Sequence, residues 1–552
     1  MSDYSYDLGT HTRPITTTSP EAQLWFDRGL NWCFGYNHEE AAVCFKTALE
    51  SDPNCAMAHW GIAYVMGPNY NKPWELFDEK DLAATLDATR SALAAAQANA
   101  ASAVEQTLIA ALGKRYQSDE PIEDLYVWSG DYADAMREVY NQNSNDYDVV
   151  ALFTEAMMNR TPWQLWDPRS GEPVERADTL ECRTVLEKAI AEINGNGATR
   201  HPGVLHLYIH LMEMSPFPEK ALRVADDLRD LIPDAGHLNH MATHIDVLCG
   251  NYQAVVASNS AAIHADKKYY EQNGAMNFYS LYRTHNYHFK LYGAMFLGQY
   301  EPAIDAVDAM VATLPDELIR MESPPMANWL EAYVSMKTHA YIRFGRWQEL
   351  LDQALPDDQE MYCMTTAINH YGKGIAHSVL GNVDQALAAQ EQLEAATHRV
   401  SRYRYTHVVS CAAMLEIARE MLAGELEYRR QNYDTAFQHL RKAVELEDNL
   451  PYDEPWGWMQ PSRHALGALL LEQGKIEEAA AAYRADLGYD NTVLRSNRHP
   501  DNVWALMGLH ECYERLGMTS EARIIKPRLE FALARADLPI KASCFCSLKA
   551  AA

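Results

Sequence analysis

The stretch HPGVLHLYIHLMEMS (201–215) is answered further along the chain by IPDAGHLNHMATHI (232–245). His206 and His210 stand one helical turn apart in the first, and His240 and His244 repeat the pair 34 residues later. A period of that length is one helix–turn–helix unit, which buries its apolar face only by stacking on its neighbours. The reading is therefore an all-α helical-repeat fold. Equivalent positions of stacked repeats become spatial neighbours, so the repetition gathers imidazoles on one wall. Imidazole is the commonest protein metal ligand.

The register extends further when each first helix is referred to the residue that ends it. Gly250 and Gly298 end two of them, and Pro216 fills the slot in the repeat before. Ten residues back lie His206, His240 and His288; six back lie His210, His244 and Tyr292; thirteen back lie Gly203, His237 and His285. Gly345 minus six is His339. Positions at i, i+3 and i+7 share one stripe of a helix. Val204, Leu207, Leu211, Met241, Ile245 and Leu248 fall between the histidines and predict the packing seam. Glu213 falls on the histidine stripe.

The candidate metal ligands are His206, His210, His237, His240, His244, His285, His288 and Glu213. His285, His288 and Glu213 are also candidates for catalytic proton transfer. Satisfied core histidines, or a groove that reads an acidic peptide, compete with a metal centre. Seven clustered histidines favour the metal. Three imidazoles and a water would suit zinc, and two imidazoles with Glu213 would suit non-haem iron. Two ions held by about three imidazoles each would suit copper. A carboxylate-poor, thiol-free stripe favours iron or copper, with zinc possible. Glu155, Asp234, Asn239 and Asp246 are candidate outer partners for the imidazoles.

The remaining chain sets limits. It has 552 residues, 48% hydrophobic and 22% charged, with a formal net charge of −29. That balance disfavours nucleic acid and anionic membranes, both of which call for clustered Lys and Arg. The polar N-terminus has no apolar signal core, and no apolar run spans a bilayer. Ten cysteines lack a framework spacing, so reduced, buried thiols and a cytoplasmic location are expected. Cys544 and Cys546 form a C-x-C pair in an expected frayed tail. No phosphate loop, dinucleotide fingerprint or nucleophile elbow occurs. Arg463 is a candidate for an anionic substrate.

Small residues at helical spacing recur along the chain. Ala41, Phe45 and Ala48 form one set; Ala479 and Tyr483, then Trp504 and Gly508, form another. Four inserts break the period: GPNYNKPW (67–74), RTPWQLWDPRSGEP (160–173), MESPPMANW (321–329) and PYDEPWGWMQP (451–461). They are rich in Pro and aromatics, which predicts packing between repeats or a roof over a pocket. The expected organisation is an N-terminal arm (1–23), N-terminal repeats (24–180), central repeats with the histidines (181–360), C-terminal repeats (361–535) and a flexible tail (536–552).

Residues 24–535 resemble the tetratricopeptide-repeat family. The strings HPGVLHLYIHLMEMS, IPDAGHLNHMATHI, HNYHF (285–289), FGYNHEEA (34–41) and MAHWGIAYVMGPNYN (57–71) resemble a bacterial and fungal group of such proteins. The stretch from YDEP (452–455) through Arg463, Leu466 and Gly467 to YRADL (483–487) resembles it too. The resemblance implies a tetratricopeptide-like solenoid whose histidine stripe lies on the inner, concave face of the first helices. With the residue pattern, it leads to an expected metal-dependent oxidoreductase using iron or copper on a small organic molecule. Zinc-dependent hydrolysis or lyase chemistry is the alternative. A second alternative is a scaffold that binds a protein partner through the groove.

Overall fold

The structure is a computed structural model, and it describes residues 4–99 and 102–547. These residues form α-helices joined by short turns, with one two-stranded hairpin, Tyr405–Thr406 against Val409–Ser410. The chain divides into two compact units. The first comprises Met1–Ile245 and Ser260–Arg283, the second Asp246–Asn259 and Thr284–Ala552. The described helices include none long and apolar enough to cross a membrane.

In the first unit, the helix Pro20–Phe34 starts where Ser19 accepts a hydrogen bond from Ala22 N and Pro20 fills the first helical position. Asn37 caps His38–Ser51 in the same way through Glu40 N. These two helices and Ala56–Val65 pack as consecutive neighbours. Phe45 of the middle helix fills the space left by glycines on both sides. A Cβ on Gly29 would stand 2.6 Å from its ring, and one on Gly61 would stand 2.8 Å away. The aromatic wedge and its two glycines therefore set how closely the helices approach.

The second unit uses the same device. Tyr483 lies between Gly467 and Gly508, where added Cβ atoms would meet its ring at 2.4 and 2.3 Å. Consecutive antiparallel pairs run through this unit: Cys363–Val379 with Val383–Thr397, Cys411–Arg429 with Tyr433–Asp448, and Ser462–Glu472 with Ile476–Asp486. Their facing sides form one apolar core that includes Leu393, Leu422, Phe437, Leu440 and Leu469. The fold is thus an all-α, tetratricopeptide-like helical repeat, as the 34-residue period predicts. Gly250, Gly298 and Gly345, taken from sequence as helix-ending residues, all adopt positive φ.

Two expectations are corrected. Residues 536–547, expected within a flexible tail, pack into the second unit: Ser543 Oγ donates to the His464 carbonyl at 2.8 Å and is 2.6 Å from Tyr483 Oη. Residues 548–552 lie outside the described residues. Cys544 and Cys546 are joined as a disulfide rather than held as thiols, while Cys33, Cys44, Cys55, Cys182, Cys363, Cys411 and Cys512 are buried thiols. The guanidinium of Arg463 holds both Asp448 oxygens, at 2.6 and 2.5 Å.

Candidate metal centre

The helix Pro202–Glu213 carries three of the predicted ligands. His201 caps it, accepting from Val204 N at 3.2 Å, and Pro202 opens it. Its register turns His206 and His210 toward His237 of the helix Gly236–Leu248. The sequence expectation of an open concave stripe is corrected here. His206, His210, Glu213, His237, His240 and His244 are each 0 to 1% exposed. The physical reason is local. Tyr70 and Trp163, from two of the Pro-aromatic inserts, pack on His210 with ring centroids 4.9 and 5.9 Å away. Tyr36 covers His206, its ring 4.5 Å away, and stacks on His237 at 5.4 Å. The inserts at 67–74 and 160–173 therefore roof this site.

Burial makes His206 and His237 poor bases and keeps them neutral, the ligating form. His206 is lowered to about 3 by desolvation, and His237 falls well below its ordinary value for the same reason, with the neighbouring histidines adding to it. The hydrogen bonds then choose the nitrogen. His206 Nδ1 lies 2.7 Å from the Phe34 carbonyl, which only accepts, so Nδ1 carries the proton and Nε2 carries the lone pair. That Nε2 is 3.2 Å from His237 Nε2. Two imidazole nitrogens on one tetrahedral first-row ion stand about 3.3 Å apart. The ligand atoms of His206, His210 and His237 all fall within 4.8 Å of one another.

Glu213 sits behind this trio. Its two oxygens lie 3.0 Å from His210 Nδ1 and 2.8 Å from His244 Nδ1. It is buried and orients two rings at once. Burial pushes its carboxyl well above the usual range. A cation held nearby would reverse that shift and restore the carboxylate. His240 Nε2 stands 2.7 Å from His244 Nε2, and Thr243 Oγ1 lies 3.3 Å from His240 Nδ1.

Two further predicted residues, His285 and His288, are counted with the other unit. There the His285 ring stacks on His407 with centroids 4.9 Å apart, and His288 Nε2 meets Met459 Sδ at 2.9 Å. Of the proposed outer partners, Asn239 donates to the Pro233 carbonyl at 2.8 Å and Asp234 accepts from Lys268 at 2.5 Å. Neither touches an imidazole through these bonds. Sequence reasoning missed the Phe34 carbonyl, which no residue type announces. It also missed Tyr36, whose left-handed backbone (φ 54°) lies in the quoted FGYN string.

A pocket of about 190 Å³ lies beside the trio in the same unit. Tyr36, His38, Asn69, Lys72 and Tyr282 line it. Tyr36 and Tyr282 are also the rings that pack on His237, the latter at 5.0 Å. His38 Nδ1 lies 3.0 Å from the Val65 carbonyl, and burial lowers its pKa to about 3.

No family model matches the chain, and no curated protein matches it. Among solved structures it is similar to an IFIT1 monomeric mutant with m7Gppp-AAAA, at 12% identity over 93% of this chain and 96% of that one, with a TM-score of 0.33. It is similar to yeast Tom70 at 10% identity over 92% and 99%, with a TM-score of 0.27. It is similar to the APC/C hetero-tetramer Cut9–Hcn1 at 13% identity over 95% and 94%, with a TM-score of 0.23.

Proposed function

We propose that this helical-repeat protein is a metal-dependent enzyme, an oxidoreductase using iron or copper on a small organic molecule. The observation that supports it best is the convergence of His206, His210 and His237 within 4.8 Å, all buried and with His206 Nδ1 committed to a carbonyl. Imidazoles without a direct thiolate suit iron, copper and zinc. A bound ion would supply Lewis acidity and, if iron or copper, electron transfer to or from a bound molecule.

The chain's own residues supply the rest. His206, His210 and His237 would hold the ion. Glu213 fixes the rings of His210 and His244 from behind. Tyr36, Tyr70 and Trp163 exclude water from the imidazoles, which strengthens every electrostatic interaction inside. The neighbouring pocket admits a small molecule, with Lys72 and Asn69 as polar anchors and Tyr36 and Tyr282 as its inner wall. We place the protein-partner reading second, because the histidines are buried rather than presented in a groove.

The test uses untagged full-length protein, reconstituted in turn with iron, copper and zinc. The expected result is a bound ion that His206→Ala with His237→Ala removes, together with dioxygen uptake on some small organic substrate in the iron or copper form only. Binding of zinc alone, with hydrolytic turnover, would replace the oxidoreductase reading by the zinc one. Full metal retention in the double variant would remove the centre itself.

A further inference from the structure

The second unit contains a metal-ligating set that the centre above does not use. His288 and His339 occupy the same two repeat slots as His206 and His210, counted back from Gly298 and Gly345. They lie on the helices Ser280–Leu297 and Met336–Arg343. The insert 451–461 bridges them. Met459 Sδ stands 2.9 Å from His288 Nε2, while the adjacent Trp458 packs edge-on against the His339 ring at 5.2 Å. Gln460, next along, donates to the His339 carbonyl at 3.1 Å. Three consecutive residues thus fasten one loop to both histidines, with the thioether on the side of His288.

The polar atoms here are unusual for a core. His288, His339 and Met459 are 1%, 0% and 0% exposed. His288 Nδ1 and both nitrogens of His339 have no hydrogen-bond partner. Buried polar groups normally find one, so ordinary packing leaves these three atoms unexplained. Both rings are neutral: burial lowers His288 to about 3, helped by the charges of His407 and His339, and burial lowers His339 to about 4. His407 itself is tied to Asp453 through Nδ1. Tyr333 closes one side, its ring 5.1 Å from that of His288.

We propose that His288, His339 and Met459 form a copper(I) site in the second unit, separate from the imidazole trio of the first. A thioether is a soft ligand and imidazole a borderline one, and that pairing selects copper(I) over zinc, magnesium or calcium. The dry aromatic surround of Tyr333 and Trp458 suits an ion of low charge.

The test titrates full-length protein carrying Cys544→Ser and Cys546→Ser with copper(I), anaerobically, against a chromophoric copper(I) chelator. Met459→Leu is the central variant, since a Leu-for-Met exchange conserves volume and is tolerated in cores. The expected result is a copper(I) equivalent that survives His206→Ala with His237→Ala, weakens at least ~10-fold in Met459→Leu and disappears in Met459→Leu with His339→Ala. X-ray absorption on the copper(I) form should show a sulfur scatterer that Met459→Leu removes. Unchanged affinity and an unchanged sulfur signal in Met459→Leu would overturn the proposal, as would absence of copper(I) binding in the parent protein. The first unit's centre responds instead to His206 and His237, so the two sites fail separately.

Discussion

One helix of the first unit carries histidines in two opposite roles. At its start, His201 Nδ1 accepts from Val204 N, so its Nε2–H donates to Asp148 Oδ1 at 3.1 Å. His11 donates to the same oxygen at 3.0 Å, and Arg13 reaches the other at 3.1 Å. That cluster is a carboxylate clasp holding residues of the N-terminal arm. One and two turns on, His206 and His210 face His237, and no carboxylate lies between the three; Glu213 stands behind them. Both sets have metal-ligand spacing. The difference teaches that spacing alone does not make a site: where a carboxylate takes the N–H donors the lone pairs are turned away, and where a carbonyl holds His206 and an outer carboxylate holds His210 their lone pairs face His237.

The second unit repeats the contrast. Asp486 accepts from His464, His499 and Asn502 at 2.7 to 2.9 Å, with Arg343 donating to the other nitrogen of His464 at 3.1 Å. His288 and His339 meet Met459 and Trp458 instead.

The largest effect should come from the clasp. Asp148→Ala leaves His11 and His201 without their shared acceptor and Arg13 with Asp146 alone, and breaking such a set costs about 3–5 kcal/mol. Urea denaturation should show that loss while metal content stays at the wild-type level, which would sharpen the contrast. A parallel loss of metal would break it.

Glu213→Gln should act the other way round. It keeps the size of the side chain but weakens the acceptor behind His210 and His244. Loss of an outer partner typically costs ~10–100-fold in metal affinity, read by competition with a chelator. Stability of the metal-free protein should change little, because Glu213 is held protonated-leaning by burial without the cation.

The clasp also has a pH signature. Burial alone would raise Asp148, but the hydrogen bonds from His11 and His201 outweigh it and hold the carboxyl well below its ordinary value. The folded pKa is depressed relative to about 3.9 in the unfolded chain. The stabilisation is therefore fully present above pH ~4 and lost as pH falls through the folded value. The stability difference between wild type and Asp148→Asn should shrink below that point. A difference that instead grows in acid would contradict the ionised clasp.

The smallest effect belongs to His11→Ala, about 0.5–1.5 kcal/mol for one hydrogen bond, because His201 and Arg13 still serve Asp148. A loss as large as that of Asp148→Ala would show that the arm, not the carboxylate, holds the clasp together.

Much of this was legible in the sequence. The 34-residue period and the Phe45 and Tyr483 positions announce the repeat, because small residues and aromatic wedges recur at helical spacing. His206, His210, His237, His240, His244 and Glu213 follow from the slots, since stacked repeats bring equal slots together. The burial of the stripe was not legible. It depends on Tyr70 and Trp163 returning from irregular inserts, whose direction no periodicity encodes. Nor could spacing say that His285 and His288 belong to the second unit, or that a backbone carbonyl at Phe34 selects the His206 tautomer.

The central claim is that the imidazole trio, and not the carboxylate clasp beside it, holds an ion. The most direct measurement is the metal-to-protein ratio of untagged protein by elemental analysis, compared between His206→Ala with His237→Ala and His11→Ala with His201→Ala. The account predicts that the first pair lowers the ratio by one equivalent per chain and the second leaves it unchanged. An unchanged ratio in the first pair, or an equal fall in both, would contradict it.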